Sequence, residues 1–148
     1  MWNDLGSLLL LANERADAEV AYRTAVAVGA KNPSAHYNLA LLLLHRGDQA
    51  TALKHLESVL ELAPLHARAH YKIGAIHEAE GHKEAAITSY AIAFQLDPDL
   101  VSPRTNPDVT QNGLVLQALL RREKSGLQVP SLPTLYDDAG RIIQLLVP

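Results

Sequence analysis

Residues 36–64 read "HYNLALLLLHRGDQATALKHLESVLELAP" and combine apolar, small and turn-forming residues in a regular order. A second stretch, "HYKIGAIHEAEGHKEAAITSYAIAFQLDP", residues 70–98, repeats its spacing of apolar, small and turn-forming residues 34 positions later. The matched positions are His36 and His70, Leu39 and Ile73, Ala40 and Gly74, Gly47 and Gly81, Ala52 and Ala86, Leu56 and Tyr90, Leu62 and Leu96, and Pro64 and Pro98. Agreement at one period across a whole unit indicates an array of equivalent structural units.

A third copy of the pattern lies 34 positions before the first stretch. Its matching residues are the same or similar in type, namely Trp2, Leu5, Gly6, Asn13, Ala18, Tyr22 and Val28. The sequence therefore predicts three units, at about residues 1–32, 33–66 and 67–100.

Each unit has the pattern of two amphipathic helices joined at a Gly or Asn that adopts a left-handed conformation. The turns are "LANERADAE", "HRGDQATAL" and "AEGHKEAAI". Pro64 and Pro98 end the second helix of their units, whereas the first unit has Ala30 at that place and Pro33 after it. Small residues let the paired helices approach closely, and these are Gly6, Ala40 and Gly74 with Ala18, Ala52 and Ala86.

This pattern resembles the tetratricopeptide repeat over about residues 1–98. The resemblance is carried by Trp2, Leu5, Gly6, Ala18, Tyr22 and Ala25, and again by Ala86, Tyr90, Ala93 and Pro98. It implies an all-α, right-handed solenoid of three helix-turn-helix repeats, in which the first helix of each pair lines a concave groove. Most members of that family are binding scaffolds, so the resemblance also implies a protein or peptide partner.

Composition excludes several other classes of protein. The apolar run Leu39–Leu44 is far shorter than the roughly 20 residues needed to cross a bilayer, so we expect no membrane insertion. The 148 residues carry a net charge of −3 with both signs scattered, which gives no basic stripe for nucleic acid. The chain has no cysteine, which fits a reducing compartment, and we expect a cytoplasmic protein.

The period fails after Pro98, and the remaining residues predict a linker, a helix and a tail. Residues 99–106 read as the linker. Residues 107–125 predict a capping helix on the third unit, with Asn106 as its N-cap. Its predicted buried stripe is Val109, Leu116, Leu119 and Leu120.

The tail, residues 126–148, contains prolines and ends in an apolar segment from Leu135 to Leu146. We expect a short terminal helix over residues 139–146, with a hairpin within residues 135–147 as the alternative. Because the segment is strongly apolar, we expect it to dock on the array or on a partner.

No pattern indicates catalysis, a cofactor or a metal site. "HEAEGH", residues 77–82, is close to a zinc-protease motif, but its histidines are five residues apart with Gly81 between them. Such histidines do not share one helical face. His36 and His70 occupy positions where the repeat family usually has Trp, so packing explains them. We therefore expect no enzyme activity, no cofactor and no metal.

The resemblance places the binding surface on the first helices. The predicted groove residues are Asn3, Ser7, Tyr37, Asn38, Leu41, Leu44, Arg68, Tyr71, Lys72 and Ala75, with Leu10 and Glu78 beside them. Leu39, Ala40 and Leu43 are needed between helices, whereas Leu41 and Leu44 are surplus to that core and are expected to face the groove. The alternative is that the C-terminal segment of the same chain covers both leucines.

Some members of the family, the co-chaperones, grip the C-terminal carboxylate of a chaperone peptide with an Asn and two basic residues. Asn38, Arg68 and Lys72 match those residues, whereas Asn3 and Ser7 replace the Lys and Asn of the first unit. The resemblance thus implies a peptide ending in a carboxylate as one candidate ligand. A solvated basic face is the alternative.

Two hypotheses follow. The first is a non-enzymatic adaptor that binds a peptide or a helix of a partner in the groove. The second is an assembly module that packs through the edge at Trp2 and through the segment Leu135–Leu146, by self-association or within a longer multidomain protein. An accessory domain of an enzyme remains a third reading.

Overall fold

A computed structural model describes residues 1–104, 109 and 112–124, and this part of the chain is helical without strands. Its α-helices are α1 (Trp2–Leu11), α2 (Arg15–Val28), α3 (Pro33–Arg46), α4 (Gln49–Leu62), α5 (Ala67–Ala79), α6 (Lys83–Leu96) and α7 (Gly113–Lys124). A 3-10 helix spans Pro98–Val101. Helices pack mainly on their neighbours in chain order, which confirms the predicted all-α solenoid of three helix pairs.

The turn inside each pair has the same backbone geometry. Asn13, Gly47 and Gly81 have φ angles of 63°, 89° and 81°, in the left-handed region that reverses the chain after a helix. The residue after each of them donates its backbone N–H to a carbonyl of the preceding helix, over 2.8 to 2.9 Å. The left-handed turns predicted from the sequence are therefore confirmed.

The connections between pairs are set by caps and prolines. Pro33 begins α3, where the Oδ1 of Asn32 accepts hydrogen bonds from the next backbone N–H groups. Pro64 follows the end of α4, and the Nδ1 of His66 caps α5 by accepting from the N–H of Ala69 at 3.1 Å. Each second helix thus stops at a fixed place, which keeps successive pairs at a constant offset.

Small and large side chains are matched across each pair. A methyl group added at Gly6 would lie 2.6 Å from Cε1 of Tyr22, and one added at Gly74 would lie 2.8 Å from Cδ1 of Tyr90. In the second pair the equivalent residues are Ala40 and Leu56, both fully buried. The first helix therefore has Gly where the second has Tyr, and Ala where the second has the smaller Leu, which is the volume matching that a close-packed core requires.

Two apolar clusters form the core. The first joins α2, α3, α4 and α5, and its largest members are Tyr22, Leu43, Leu56 and Ile76. The second joins α6, the 3-10 helix and α7 around Phe94. The predicted linker therefore contains buried residues, because Leu100 and Val101 of the 3-10 helix belong to the second cluster.

The predicted buried stripe of α7 is partly wrong. Val109 is buried and Leu119 is half-buried as expected, but Leu116 and Leu120 are 59% and 50% exposed. Val115, Ala118 and Arg122 are buried instead. The small side chain of Ala118 lets α7 pack closely on α6, and this places the two leucines on the outer side.

The helix also begins later than the predicted residue 107. Asn112 caps it, because its Oδ1 accepts hydrogen bonds from the N–H groups of Leu114 and Val115 at 2.9 and 3.3 Å. The predicted N-cap Asn106 and the predicted tail, residues 126–148, lie outside the described residues. No helix in the described part of the chain combines the length and hydropathy required to span a bilayer.

Candidate peptide-binding face

All ten predicted groove residues lie on α1, α3 and α5, the first helices of the three pairs. We call this set the first-helix face. It consists of Asn3 and Ser7 on α1, Tyr37, Asn38, Leu41 and Leu44 on α3, and Arg68, Tyr71, Lys72 and Ala75 on α5. Several members occupy equivalent positions in successive pairs, so that Asn3, Tyr37 and Tyr71 form one column, and Ser7, Leu41 and Ala75 form another.

A polar corner joins α1 to α3. The Nδ2 of Asn38 donates a hydrogen bond to Oδ1 of Asn3 over 2.9 Å. Ser7 donates to the backbone carbonyl of Asn3 at 3.1 Å and lies 3.1 Å from the hydroxyl of Tyr22 on α2. The amide of Asn38 is therefore held in a defined orientation, with its second N–H left for another acceptor.

Aromatic packing joins α3 to α5. The rings of Tyr37 and His66 lie 4.8 Å apart between centroids. Burial raises the pKa of the Tyr37 phenol, and the nearby Arg68 guanidinium opposes that shift. Burial also lowers the pKa of His66, with Arg68 and His70 adding to the effect. At neutral pH this part of the face thus carries a neutral phenol and a neutral imidazole beside one guanidinium.

The two basic residues of the face are electrostatically uncompensated within the described residues. Arg68 is exposed and Lys72 is half-buried, and neither forms an ion pair there. Other arginines differ, since Arg23 and Arg46 both pair with Glu19. The α5 side of the face therefore has positive charge available to an anionic group.

The apolar members of the face contribute unequal amounts of free surface. Leu41 is half-buried and belongs to neither core cluster, as the sequence predicted for a residue surplus to the core. Leu44 differs from that prediction, because its side chain packs against the first cluster. Tyr71 and Ala75 pack against the second cluster, where the Tyr71 ring lies 5.1 Å from that of Tyr90. Leu41 is thus the main apolar contact group, whereas Tyr37, like Leu44, packs against the first cluster and offers only part of its ring.

A comparison with protein families establishes the class of this array. The model described as "Tetratricopeptide repeat" matches residues 3–57 and residues 50–100. The chain belongs to the tetratricopeptide-repeat family. Proteins of this family are typically interaction modules without catalytic activity of their own. No curated protein sequence shows a significant match to the chain.

Solved structures with this fold include "First TPR of Spaghetti (RPAP3) bound to HSP90 peptide SRMEEVD". It is 18% identical, with a TM-score of 0.66 over 80% of this chain and 90% of that one. Two structures of MamA, also 18% identical, have TM-scores of 0.62 and 0.65 and cover 84% and 89% of this chain and 78% of each MamA chain. At this identity the likeness concerns the fold alone.

One polar residue beside the face ties the third tetratricopeptide repeat to α7. Oε2 of Glu78 accepts hydrogen bonds from the Tyr90 hydroxyl at 2.6 Å and from Nδ2 of Asn112 at 2.7 Å. Burial raises the pKa of Tyr90 far above its ordinary value, and the Glu78 carboxylate adds to the shift. The repeat pattern predicts Glu78 beside the groove but not its hydrogen bonds to Tyr90 and Asn112, because it does not predict that Asn112 caps α7.

Four of the seven histidines form two groups. His36 and His70 are structural, as predicted, because each Nε2 contacts a backbone carbonyl of the preceding connection, Ala30 and Pro64, at 3.1 and 3.0 Å. His77 and His82 instead lie with Glu80 at the turn between α5 and α6, where one ligand atom of each is within 4.8 Å of the others. The helix period identifies only ligands that share one helical face. It therefore does not predict a cluster whose ligands are brought together by a turn.

Proposed function

We propose that the chain is a non-enzymatic adaptor whose first-helix face binds an acidic peptide of a partner protein, with a carboxylate at Arg68 and Lys72. The observation that carries this proposal is the pair of uncompensated cations on α5, together with the oriented amide of Asn38 on α3. Hydrogen bonds from charged donors to a carboxylate are among the stronger ones in proteins. The three groups would fix the orientation of the peptide.

Leu41 and Tyr37 would supply contact area for apolar side chains of the same peptide. Both side chains are half-buried, so each retains surface that a ligand would cover. Full burial of a leucine contributes about 1.5–3 kcal/mol before the costs of association are subtracted. Binding would thus combine an apolar contact on α3 with charge recognition on α5.

The RPAP3 domain supports this proposal, since its title describes a bound peptide that ends in Glu-Glu-Val-Asp. That peptide has the chemistry which Arg68, Lys72 and Asn38 would recognise, with acidic side chains and a terminal carboxylate. The first repeat has Asn3 and Ser7 on this face, and neither side chain is charged. We therefore propose that the carboxylate is recognised mainly by Arg68 and Lys72 on α5.

Reversing the two charges tests the proposal. We expect Arg68→Glu combined with Lys72→Glu to weaken binding of a labelled SRMEEVD peptide at least tenfold, about 1.4 kcal/mol. The physical reason is that two attractive contacts with the carboxylate become repulsive. Fluorescence anisotropy titrations of the wild type and the variant measure the two dissociation constants.

A matched control is Lys54→Glu combined with Lys83→Glu. Both lysines are exposed on second helices, and the change in net charge is the same. We expect this variant to bind nearly as well as the wild type, and a C-terminally amidated peptide to bind the wild type more weakly. Equal loss of affinity in both double variants would show that net charge alone drives the binding, and would contradict the proposal.

A second candidate function, self-association through α1, is favoured by a separate observation. Leu8 is 63% exposed, whereas the equivalent Leu42 and Ile76 are 8% and 2% exposed because the preceding helix pair covers them. Trp2 and Leu5 are also exposed, whereas their equivalents in the second repeat, His36 and Leu39, are buried. An apolar helix face of this kind would be covered if two copies packed α1 on α1 around a twofold axis.

Light scattering over a range of protein concentrations tests this candidate. We expect the wild-type mass to rise toward that of a dimer, and Leu8→Glu to keep the protein monomeric because the charge would be buried in the contact. Val20→Glu is the matched control, since Val20 is 62% exposed on α2. A wild type that stays monomeric throughout, or equal effects of the two variants, would exclude self-association through α1.

A further inference from the structure

Three metal-ligating side chains meet at the turn between α5 and α6, apart from the first-helix face. His77 lies in the last turn of α5, Glu80 follows that helix, and His82 precedes α6. Oε2 of Glu80 is 3.2 Å from Nδ1 of His82 and 3.7 Å from Nδ1 of His77. Two imidazoles and one carboxylate form a ligand set that suits zinc.

Backbone geometry explains why two histidines five positions apart lie together. With Gly81 in the left-handed conformation, the N–H of His82 donates to the carbonyl of His77 over 2.8 Å, and that of Gly81 donates to the carbonyl of Glu78 over 3.0 Å. This hydrogen-bond pattern is the Schellman motif, which commonly brings the side chains at the positions of His77 and His82 into contact. The turn therefore replaces the shared helical face that the sequence lacks.

The third repeat departs from the other two at these positions. The equivalents of His77 are Leu9 and Leu43, and those of His82 are Glu14 and Asp48. Leucine at the first position serves the core, since Leu43 is fully buried. An imidazole at this position stabilises the core less than leucine does, because burying its polar ring nitrogens among apolar side chains costs free energy.

Neither the Nδ1 of His77 nor the ring of His82 forms a hydrogen bond that stabilises a helix end in the described part of the chain. The Nδ1 of His77 is buried and has no hydrogen-bond partner among the described residues, which costs free energy unless another group satisfies it. His82 is the N-cap of α6 but accepts no hydrogen bond from that helix, whereas Asp48 caps α4 by accepting from the N–H of Thr51. The His82 ring contacts Glu80 instead.

From this geometry we propose that His77, Glu80 and His82 bind a divalent transition-metal ion such as Zn²⁺. Ligand atoms around four-coordinate zinc, with bonds of about 2.0–2.1 Å, lie about 3.3 Å apart, so closure of the site requires shifts of about 1 Å. The exposed ring of His82 can move by that amount through side-chain rotation. The fourth position is open to water, and the ion would join the end of α5 to the start of α6.

Titration of tag-free, chelator-treated protein with Zn²⁺ and with Co²⁺ tests the proposal. We expect one ion per chain by calorimetry, visible absorption bands of low-symmetry Co²⁺ that Zn²⁺ removes, and a rise in Tm of about 5 °C or more at saturating Zn²⁺. His77→Leu restores the residue found in the other repeats, so it is expected to fold. We expect this variant and His82→Ser each to lose affinity at least 30-fold while keeping the helical circular-dichroism spectrum.

His55→Gln is the matched control, because His55 forms the other close histidine pair, with 3.1 Å between its Nδ1 and that of His36. We expect this variant to bind the metal as the wild type does. Undiminished binding in His77→Leu, loss of binding in His55→Gln, or no binding of either ion to the wild type at millimolar concentration would each overturn the proposal.

Discussion

Phe94→Ala is expected to lower the free energy of unfolding by about 3–5 kcal/mol, as truncation of a fully buried aromatic residue usually does. Phe94 is 0% exposed and lies in the cluster that α6 shares with the 3-10 helix and α7. Its ring also lies 6.0 Å from that of Tyr71. The resulting cavity would loosen α7 from the third repeat, and chemical denaturation followed by circular dichroism measures the loss.

Leu60→Ala is the matched control for this substitution. Leu60 occupies the equivalent position in the second repeat, but it is only half-buried. We expect its truncation to cost clearly less than that of Phe94, because part of its side chain is already in water. Equal losses in the two variants would contradict the full burial of Phe94 in the cluster that α6 shares with the 3-10 helix and α7.

Gly74→Ala is expected to destabilise the protein by about 1–3 kcal/mol, although it adds one methyl group and raises helix propensity. The new Cβ would lie 2.8 Å from Cδ1 and 2.9 Å from Cε1 of the buried Tyr90 ring. Contacts this short force α5 and α6 apart. Thermal and denaturant unfolding of the single variant measure the effect.

Tyr90→Leu should rescue that variant, because Ala with Leu is the pair that the second repeat uses at Ala40 and Leu56. The double variant is expected to be more stable than the sum of the two single losses predicts. Tyr90→Phe measures separately the loss of the hydrogen bond to Glu78. Strict additivity of Gly74→Ala and Tyr90→Leu would contradict the proposed volume matching.

Much of the fold follows from the sequence because each repeat has the same turn and packing positions, 34 residues apart. The left-handed positions Asn13, Gly47 and Gly81 were evident from residue type and period, and so were the prolines that follow α4 and α6. The placement of the predicted face on α1, α3 and α5 follows from the same period. Here local conformational preference and tertiary packing agree, so the pattern alone predicts the helix pairs.

The remaining features depend on contacts that periodicity does not encode. After Pro98 there is no equivalent unit for comparison, and Asn112 competes with Asn106 as a helix cap. Apolar pattern alone therefore put Leu116 on the buried side of α7, where Val115 lies in the structure. The contact of Leu44 with the first cluster depends on how successive pairs stack, so the sequence pattern alone predicts a residue outside the core.

The His77, Glu80 and His82 cluster was missed for a related reason. A search for ligands on one helical face uses the helix period, whereas a Schellman turn brings together residues on either side of a helix end. The sequence does carry a signal for this cluster. When the three turns are aligned, only the third repeat has histidine at the position of Leu9 and Leu43.

If α1, α3 and α5 together form the binding surface, NMR mapping will place the bound peptide on the first-helix face. Backbone and side-chain amide signals of ¹⁵N-labelled protein would be followed during titration with SRMEEVD. We predict the largest shifts at Asn38, Leu41, Arg68 and Lys72, with α2 and α4 little affected. Shifts concentrated on the second helices, or none at millimolar peptide, would rule out the first-helix face as the binding surface.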